Sequence, residues 1–311
     1  MEKKPLSIFS FSAYFFKVFA ISALVGITFS YLFEELIIYS LEVHGAAKIN
    51  RIYSSAEPNE IPIFGSSRAE GNYVPSKIDG NCYNYGISGT QANIWFYLLG
   101  EELKKDRKTP IILNLDLNGF KFSDGDISNY LPTWSNSKHI LQTPGKWNYS
   151  IPFIKYFGHY ETYTQYYISE LTNLTQLTEK GGTFKKNSLT KVKFDALVQK
   201  RLKAESSFSI EKVLLEECYH LIESTDRKII TVVSPYHKSY FNKFENIEVA
   251  NDFLLKLGKR DNVEVIDLRH YIEDDELFTN TTHLNYKGAV SFSEELNRLL
   301  VELNILATNT L

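Results

Sequence analysis

From residue 60 onward, short apolar runs alternate with longer amphipathic stretches, and this alternation leaves few folds open to the chain. The runs at 61 to 64, 82 to 85, Ile111–Leu117, Ile229–Val233 and Val263–Asp267 have strand length rather than helix length. Helical periodicity fills the gaps at about 91 to 105, 209 to 224, 246 to 258 and 286 to 303. In the second of these, Ser209 is the expected N-cap, with Val213, Leu214, Cys218, Leu221 and Ile222 facing inward. Strands that are apolar throughout must be covered on both faces, and helices between successive strands supply that cover. The expectation is an α/β fold, a three-layer α/β/α sandwich around a five-stranded parallel sheet.

The amino terminus carries a different signal. Glu2-Lys3-Lys4 precedes an apolar run from Ala13 to Phe33, about as long as the roughly 20 residues that a bilayer crossing needs. Lys17 is the one charge inside the run, and its long stem can carry the ammonium to the headgroups. No Ala-x-Ala cleavage site follows, so the run reads as an uncleaved signal anchor. A buried amphipathic helix would need a polar face that the run lacks. Positive-inside bias then makes 1–12 a cytoplasmic tail, 13–33 a single membrane span and 34–57 a juxtamembrane linker. Residues 58–311 form an extracytoplasmic domain, interrupted by a long insertion at about 119–207. That insertion is too long for a plain connection. Its first half is rich in aromatics, including Trp134, Trp147, Tyr149, Phe153, Tyr156 and Tyr160, and its second half is rich in lysine. It is either a wall of the site or a packing subdomain.

A net charge of -3 and a pI near 6.2, with no Lys/Arg-rich face, exclude a nucleic-acid binder. No metal-ligand spacing, Walker motif or dinucleotide glycine motif is present, so neither metal nor nucleotide cofactor is expected. An extracytoplasmic location would allow a Cys82–Cys218 disulfide. Cys82 opens a strand and Cys218 lies on the apolar side of a helix, which favours two buried thiols.

The chemistry gathers at three stretches. Ile61-Pro-Ile-Phe-Gly65-Ser66-Ser67-Arg68 is an apolar strand stopping in a glycine and two serines, which brings a hydroxyl to the carboxyl edge where open α/β sheets bind ligands. Cys82-Tyr-Asn-Tyr-Gly86-Ile-Ser-Gly89 is a second strand ending in a glycine turn, and Asn280-Thr-Thr-His283-Leu-Asn-Tyr-Lys-Gly288 places a histidine before the last helix. A serine hydroxyl needs a base before it can attack, and histidine has the pKa for that work near neutrality. Tyr236 and His237 follow the fourth strand and point to the same edge.

These blocks, in this order, resemble the SGNH (GDSL-like) hydrolase and acyltransferase family over roughly residues 58 to 304. The branch that looks closest is membrane-anchored and reads Gly-Ser-Ser-Arg where other members read Gly-Asp-Ser. The resemblance implies the same three-layer, flavodoxin-like sandwich. It implies Ser67 as nucleophile, with Ser66 at the aspartate position, and His283 as base. It implies the backbone N–H groups of Ser67 and Gly86 as oxyanion donors, each worth about 3 to 4 kcal/mol in known cases. Strict register puts Asp116 at the family's third-donor asparagine; a carboxylate would repel an oxyanion, so the Asn118 amide is preferred. Where the family has Asp in Asp-x-x-His, this chain has Asn280, whose carbonyl can still accept the Nδ1 proton; Asp274 and Asp275 are the alternatives. Arg68, Asp116, Tyr236 and His237 are candidate substrate contacts.

By that resemblance the protein is an ester hydrolase or O-acyltransferase, of acetyl groups, acting without cofactor on a cell-envelope polysaccharide or glycan beside a multi-span membrane O-acyltransferase. Hydrolysis and transfer share the acyl-enzyme and both stay open. The competing expectation is an inactive module of this fold that binds glycan or the membrane partner, which Asn280 and Asp116 would suit.

Overall fold

A computed structural model describes residues 8–38, 41, 45–54, 57–117, 119–120, 156–172, 176–188, 195–197, 199–200 and 210–306. Lys3, Lys4, Asn118, Ser209 and the aromatics between 121 and 155 lie outside the described residues. The helices are α1 (Ile8–Phe33), α2 (Gly45–Ser54), α3 (Ser67–Asn72), α4 (Ala92–Leu103), α5 (Tyr160–Thr172), α6 (Lys212–Glu223), α7 (Lys238–Phe241), α8 (Ile247–Leu257) and α9 (Tyr286–Glu302). The strands are β1 (Glu60–Phe64), β2 (Asn81–Asn84), β3 (Ile111–Asn114), β4 (Gln176–Glu179), β5 (Gly182–Lys185), β6 (Ile229–Val233) and β7 (Val263–Asp267).

The chain divides into two compact units, Met1–Leu41 with Leu131–Leu171, and Glu42–Tyr130 with Thr172–Leu311. In the first, Ser12–Ile38 is helical over 27 residues with a mean hydropathy of 1.8, long and apolar enough to cross a membrane. The carboxyl end of α1 packs Phe29 and Phe33 on Tyr160, with ring centroids 5.3 and 4.8 Å apart, and Tyr156 donates to the Glu34 carboxylate at 2.6 Å. Tyr156 and Tyr160, from the middle of the long insertion, therefore pack with the apolar helix.

The second unit carries one five-stranded sheet in the order β2-β1-β3-β6-β7, every pair parallel. This is an α/β sheet covered by helices on both faces, as the alternation of strands and helices requires. Side chains alternate between the faces along each strand. Ile111, Leu113, Ile229 and Val233 enter a core with α4, α6 and α8, whereas Ile63, Ile112, Ile230 and Val232 enter a second core with α3 and α9. Strand order reverses direction between β1 and β3, the switch point where doubly wound sheets open a crevice at their carboxyl ends.

Four details depart from the sequence reading. Residues 45–54, expected in a linker, form α2, which buries Ile49 and Ile52 in the first core. Strand β3 stops at Asn114, three residues early: Leu115 N still donates to Val232 O at 2.8 Å, and the chain then turns, with Gly119 N donating to Asp116 O at 2.7 Å. Val213 is 60% exposed while Leu214, Cys218 and Ile222 are buried, so the inward face of α6 is narrower than expected. A β4–β5 hairpin lies in the lysine-rich half of the insertion, where no strand was expected.

Both cysteines are buried and free, and burial pushes each thiol up to about 12. At the amino edge of the sheet, the Glu60 carboxylate is met by Arg107 at 3.0 Å, Arg51 at 2.6 Å and the Tyr85 hydroxyl at 2.7 Å. Glu102 joins Arg107 to Arg227. The carboxyl edge, which holds the candidate site, is thus clamped from the opposite end by buried ion pairs.

Candidate active site

Strand β1 leaves the sheet at Gly65, whose φ of +148° suits glycine. A Cβ there would lie 2.8 Å from Ala69 Cβ and 3.1 Å from Asn114 Cβ, so only glycine lets the chain turn so tightly from β1 into α3. Ser66 caps α3, its hydroxyl accepting from the Arg68 N–H at 3.2 Å. Ser67 is then the first helical residue, at the crevice beside the switch point.

His283 lies in the turn before α9, a helix capped by Asn285. Its Nε2 is 2.8 Å from Ser67 Oγ, across 216 residues of sequence. Its Nδ1 is 3.0 Å from Asn280 Oδ1 and 3.1 Å from Thr282 Oγ1. The Asn280 oxygen also accepts from the backbone N–H of Thr282 and of His283, both at 2.9 Å. Two backbone donors demand an oxygen there, so the amide is oriented with its carbonyl on the ring. Nδ1 therefore carries the hydrogen, and Nε2 presents its lone pair to the Ser67 hydroxyl. This is the tautomer that a base requires. Asp274 and Asp275 do not supply it: Asp274 caps a short 3₁₀ turn through Glu276 N, and Asp275 pairs with His237 and Lys238.

Arg68 ties three loops to α3. Its Nη1 donates to Asp116 Oδ1 at 3.0 Å, its Nε to Thr282 O at 3.2 Å, and its Nη2 to Ser234 O and to Pro235 O. The guanidinium stacks on Tyr236, 3.5 Å from the ring centroid. Asp116 also accepts from Ser66 Oγ and, at 2.7 Å, from Asn114 Nδ2. Burial pushes the Asp116 carboxyl above the ordinary range, and Arg68 with the two side-chain donors works against that rise. Asp116 is thus a buried ion-pair partner that fixes the serine turn, and Arg68, 3% exposed, is held mainly by protein groups.

Three expectations need correction. Tyr236 is buried beneath Arg68, its hydroxyl accepting from Leu117 N at 3.1 Å, and does not line the cavity beside Ser67. His237 is 3% exposed and caps α7 with Nδ1, while Nε2 meets Asp275 at 3.0 Å. Burial lowers the His237 pKa despite that carboxylate, so it is a packed neutral ring rather than a substrate contact. The Gly86 N–H is engaged by Asn84 Oδ1 at 2.9 Å, which removes it as an oxyanion donor. Gly86 is required for a different reason: a Cβ there would lie 2.5 Å from Glu70 N and 2.7 Å from Ala69 Cβ.

A cavity of about 180 Å³ opens on the pair, lined by Ser66, Ser67, Arg68, Gly89, Thr90, Gln91, Asp116, Gly119, Thr282 and His283. Among the described residues, neither the Ser67 N–H nor the Gly89 N–H has a hydrogen-bond acceptor. Gly89, at φ +78°, closes the glycine turn expected after the second strand, where Gly86 rather than Gly89 was the expected donor. Asn118 lies outside the described residues.

No protein-family model matches this sequence, and no curated protein does. Among solved structures, one from Streptococcus pneumoniae described by the words "platelet activating factor" is 13% identical, with a TM-score of 0.39, over 86% of this chain and 96% of that one. A complex of a GH113 beta-1,4-mannanase is 11% identical, with a TM-score of 0.15, over 82% of this chain and 92% of that one. At these scores neither likeness bears on the chemistry, which rests on the site itself.

Proposed function

We propose that this chain is a membrane-anchored serine ester hydrolase or O-acyltransferase of SGNH type, with the α/β domain outside the cytoplasm. The observation that carries the reading is the Asn280–His283–Ser67 relay, in which an oriented imidazole offers its lone pair to a hydroxyl at 2.8 Å. Ser67 Oγ attacks an acyl carbonyl and passes its proton to His283 Nε2, while Asn280 Oδ1 accepts the Nδ1 hydrogen of the imidazolium. The Ser67 and Gly89 N–H groups are the donors available to the oxyanion. The charge on Asp116 is balanced by Arg68, which removes the objection that a carboxylate at the edge would repel the developing charge. His283 then protonates the leaving oxygen, and the Ser67 ester passes its acyl group to water or to a substrate hydroxyl. An acetyl group and a cell-envelope glycan are the acyl group and acceptor that the family resemblance favours, with a multi-span acyltransferase as partner.

A second reading, a non-catalytic binding module, is favoured by the uncharged Asn280 alone. Labelling of the full-length protein in detergent with a fluorophosphonate separates them. The enzyme reading expects a covalent adduct on Ser67 and p-nitrophenyl acetate hydrolysis that Ser67→Ala abolishes; an unlabelled protein, or turnover retained by Ser67→Ala, rejects it. A reporter active only outside the cytoplasm, fused after residue 60, tests the topology, and a silent reporter overturns it.

A further inference from the structure

The β4–β5 hairpin contributes to a second cavity at the same serine. Its turn, Lys180 at φ 42° and Gly181 at φ 83°, has the two positive angles of a tight hairpin. The hairpin is fastened along its length. Lys180 O accepts from Asn84 N at 2.9 Å, and the Glu179 carboxylate accepts from Ser76 N at 2.6 Å and Ser76 Oγ at 2.9 Å. Phe184 is buried, its ring 5.8 Å from that of Tyr286. Because strand side chains alternate, burying Phe184 in the core puts Thr183 and Lys185 together on the other face. Both line a cavity of about 280 Å³ that also includes Ser67, Glu70, Asn280 and His283.

The charges of this cavity do not cancel within the protein. The Glu70 carboxylate is engaged by the buried Lys48 ammonium at 2.9 Å and by Ser88 Oγ. Lys185 is exposed and has no carboxylate partner among the described residues. The Thr183 hydroxyl is buried and finds no hydrogen-bond partner, a state that a χ1 rotation toward a ligand would relieve.

We propose that this cavity is the acceptor subsite of the ester chemistry proposed above and takes a polyhydroxylated substrate bearing an anionic group, carboxylate or phosphate, with Lys185 meeting the anion and Thr183 a hydroxyl. A neighbouring substrate hydroxyl then stands at the acyl-Ser67 ester. Its oxygen attacks the acyl carbon, its proton goes to His283 Nε2, the bond from carbon to Ser67 Oγ breaks, and the proton returns to Ser67. The acyl group changes oxygen with no oxidant, reductant or further reactant.

The inference rests on the serine reading, so its test is a binding measurement that does not need turnover. Full-length Ser67→Ala protein in detergent at low ionic strength is titrated with glucuronate, glucose 6-phosphate and glucose, followed by saturation-transfer NMR. Stronger binding of an anionic sugar than of glucose is expected, and whether glucuronate or glucose 6-phosphate leads identifies the anion. Lys185→Glu should weaken the preferred anion by about fivefold, the size that an exposed ion pair supports, and Lys185→Arg should retain it. The melting temperature should not move, because Lys185 is exposed. Equal binding of the three sugars, absence of binding, or indifference to Lys185→Glu overturns the subsite. Lysine-dependent anion binding in a protein whose Ser67 no fluorophosphonate labels would keep the subsite and discard the ester chemistry.

Discussion

Replacing Asn280 by Asp is the most informative single change. In serine triads with an aspartate, substitution by asparagine costs about 10⁴ in rate, largely because the ring is left in the wrong tautomer. That loss does not apply here. The Asn280 oxygen is already on Nδ1 at 3.0 Å and is held there by the Thr282 and His283 N–H groups at 2.9 Å. Its side-chain nitrogen makes no hydrogen bond among the described residues, so a carboxylate fits without losing one. What Asp adds is charge. A hydrogen bond to a charged group is worth about 1.5 to 3 kcal/mol, against about 0.5 to 1.5 for a neutral one, a difference of about 1 to 1.5 kcal/mol. On the barrier to forming the imidazolium, that is about five- to fifteen-fold in rate. The carboxylate favours the charged ring, so more alkaline conditions are needed to keep the base neutral, and the acid limb of the pH–rate profile moves to higher pH. The assay is p-nitrophenyl acetate hydrolysis by the full-length protein across pH. A gain of about 10³ or more would show that the amide had been forcing the wrong tautomer. An unchanged rate and profile would show that residue 280 does not act through the ring.

Two further outcomes follow from packing and charge. Gly86→Ala should lower stability by about 2 to 3 kcal/mol in denaturant titrations, because its Cβ would press on Glu70 N at 2.5 Å; a loss under about 1 kcal/mol would mean that the β2–α4 loop yields freely. Glu60→Gln should cost about 3 kcal/mol by leaving the buried Arg107 and the partly exposed Arg51 short of charge. Burial raises the Glu60 pKa, but Tyr85, Arg51 and Arg107 more than offset it and hold the carboxyl below the ordinary range. Its stabilisation is therefore complete above the usual carboxylate value of about 4.3 and is lost as pH falls through the lowered one. The acid limb of the stability curve should flatten in Glu60→Gln, and an unchanged limb would refute the assignment.

The parts of this architecture that could be read from sequence are those with local causes. Strands β6 and β7 match their expected limits because Ile229–Val233 and Val263–Asp267 are rich in β-branched residues, the first lying between Lys228 and Ser234 and the second running from Asn262 to a closing Asp267. The pairing of Ser67 with His283, 2.8 Å apart, was implied only by the family resemblance. What escaped depended on partners far along the chain. Lys48 looks like a solvated lysine until Glu70, 22 residues away, is placed beneath it. His237 looks like a site residue until Asp275, 38 residues on, takes its Nε2. Two further features have local causes. Asn84 before Tyr85-Gly86 is positioned to capture the N–H two residues on, and Lys180-Gly181 between alternating residues is a hairpin turn.

Helix α2 sets where the chain can be cut. A water-soluble fragment starting at residue 58 would discard Ile49 and Ile52, each 1% exposed, along with the Lys48 ammonium on Glu70 and Gly86 O. Removing even one such aliphatic side chain costs about 2 to 5 kcal/mol, and the partly exposed Glu70 carboxylate also loses its buried cation. Together these approach the whole stability of a domain, about 5 to 15 kcal/mol. Such a fragment would be recovered as aggregate, and its silence toward any ester would say nothing about Ser67. A fragment that begins at Glu42 keeps the helix, and with it the floor beneath the serine turn.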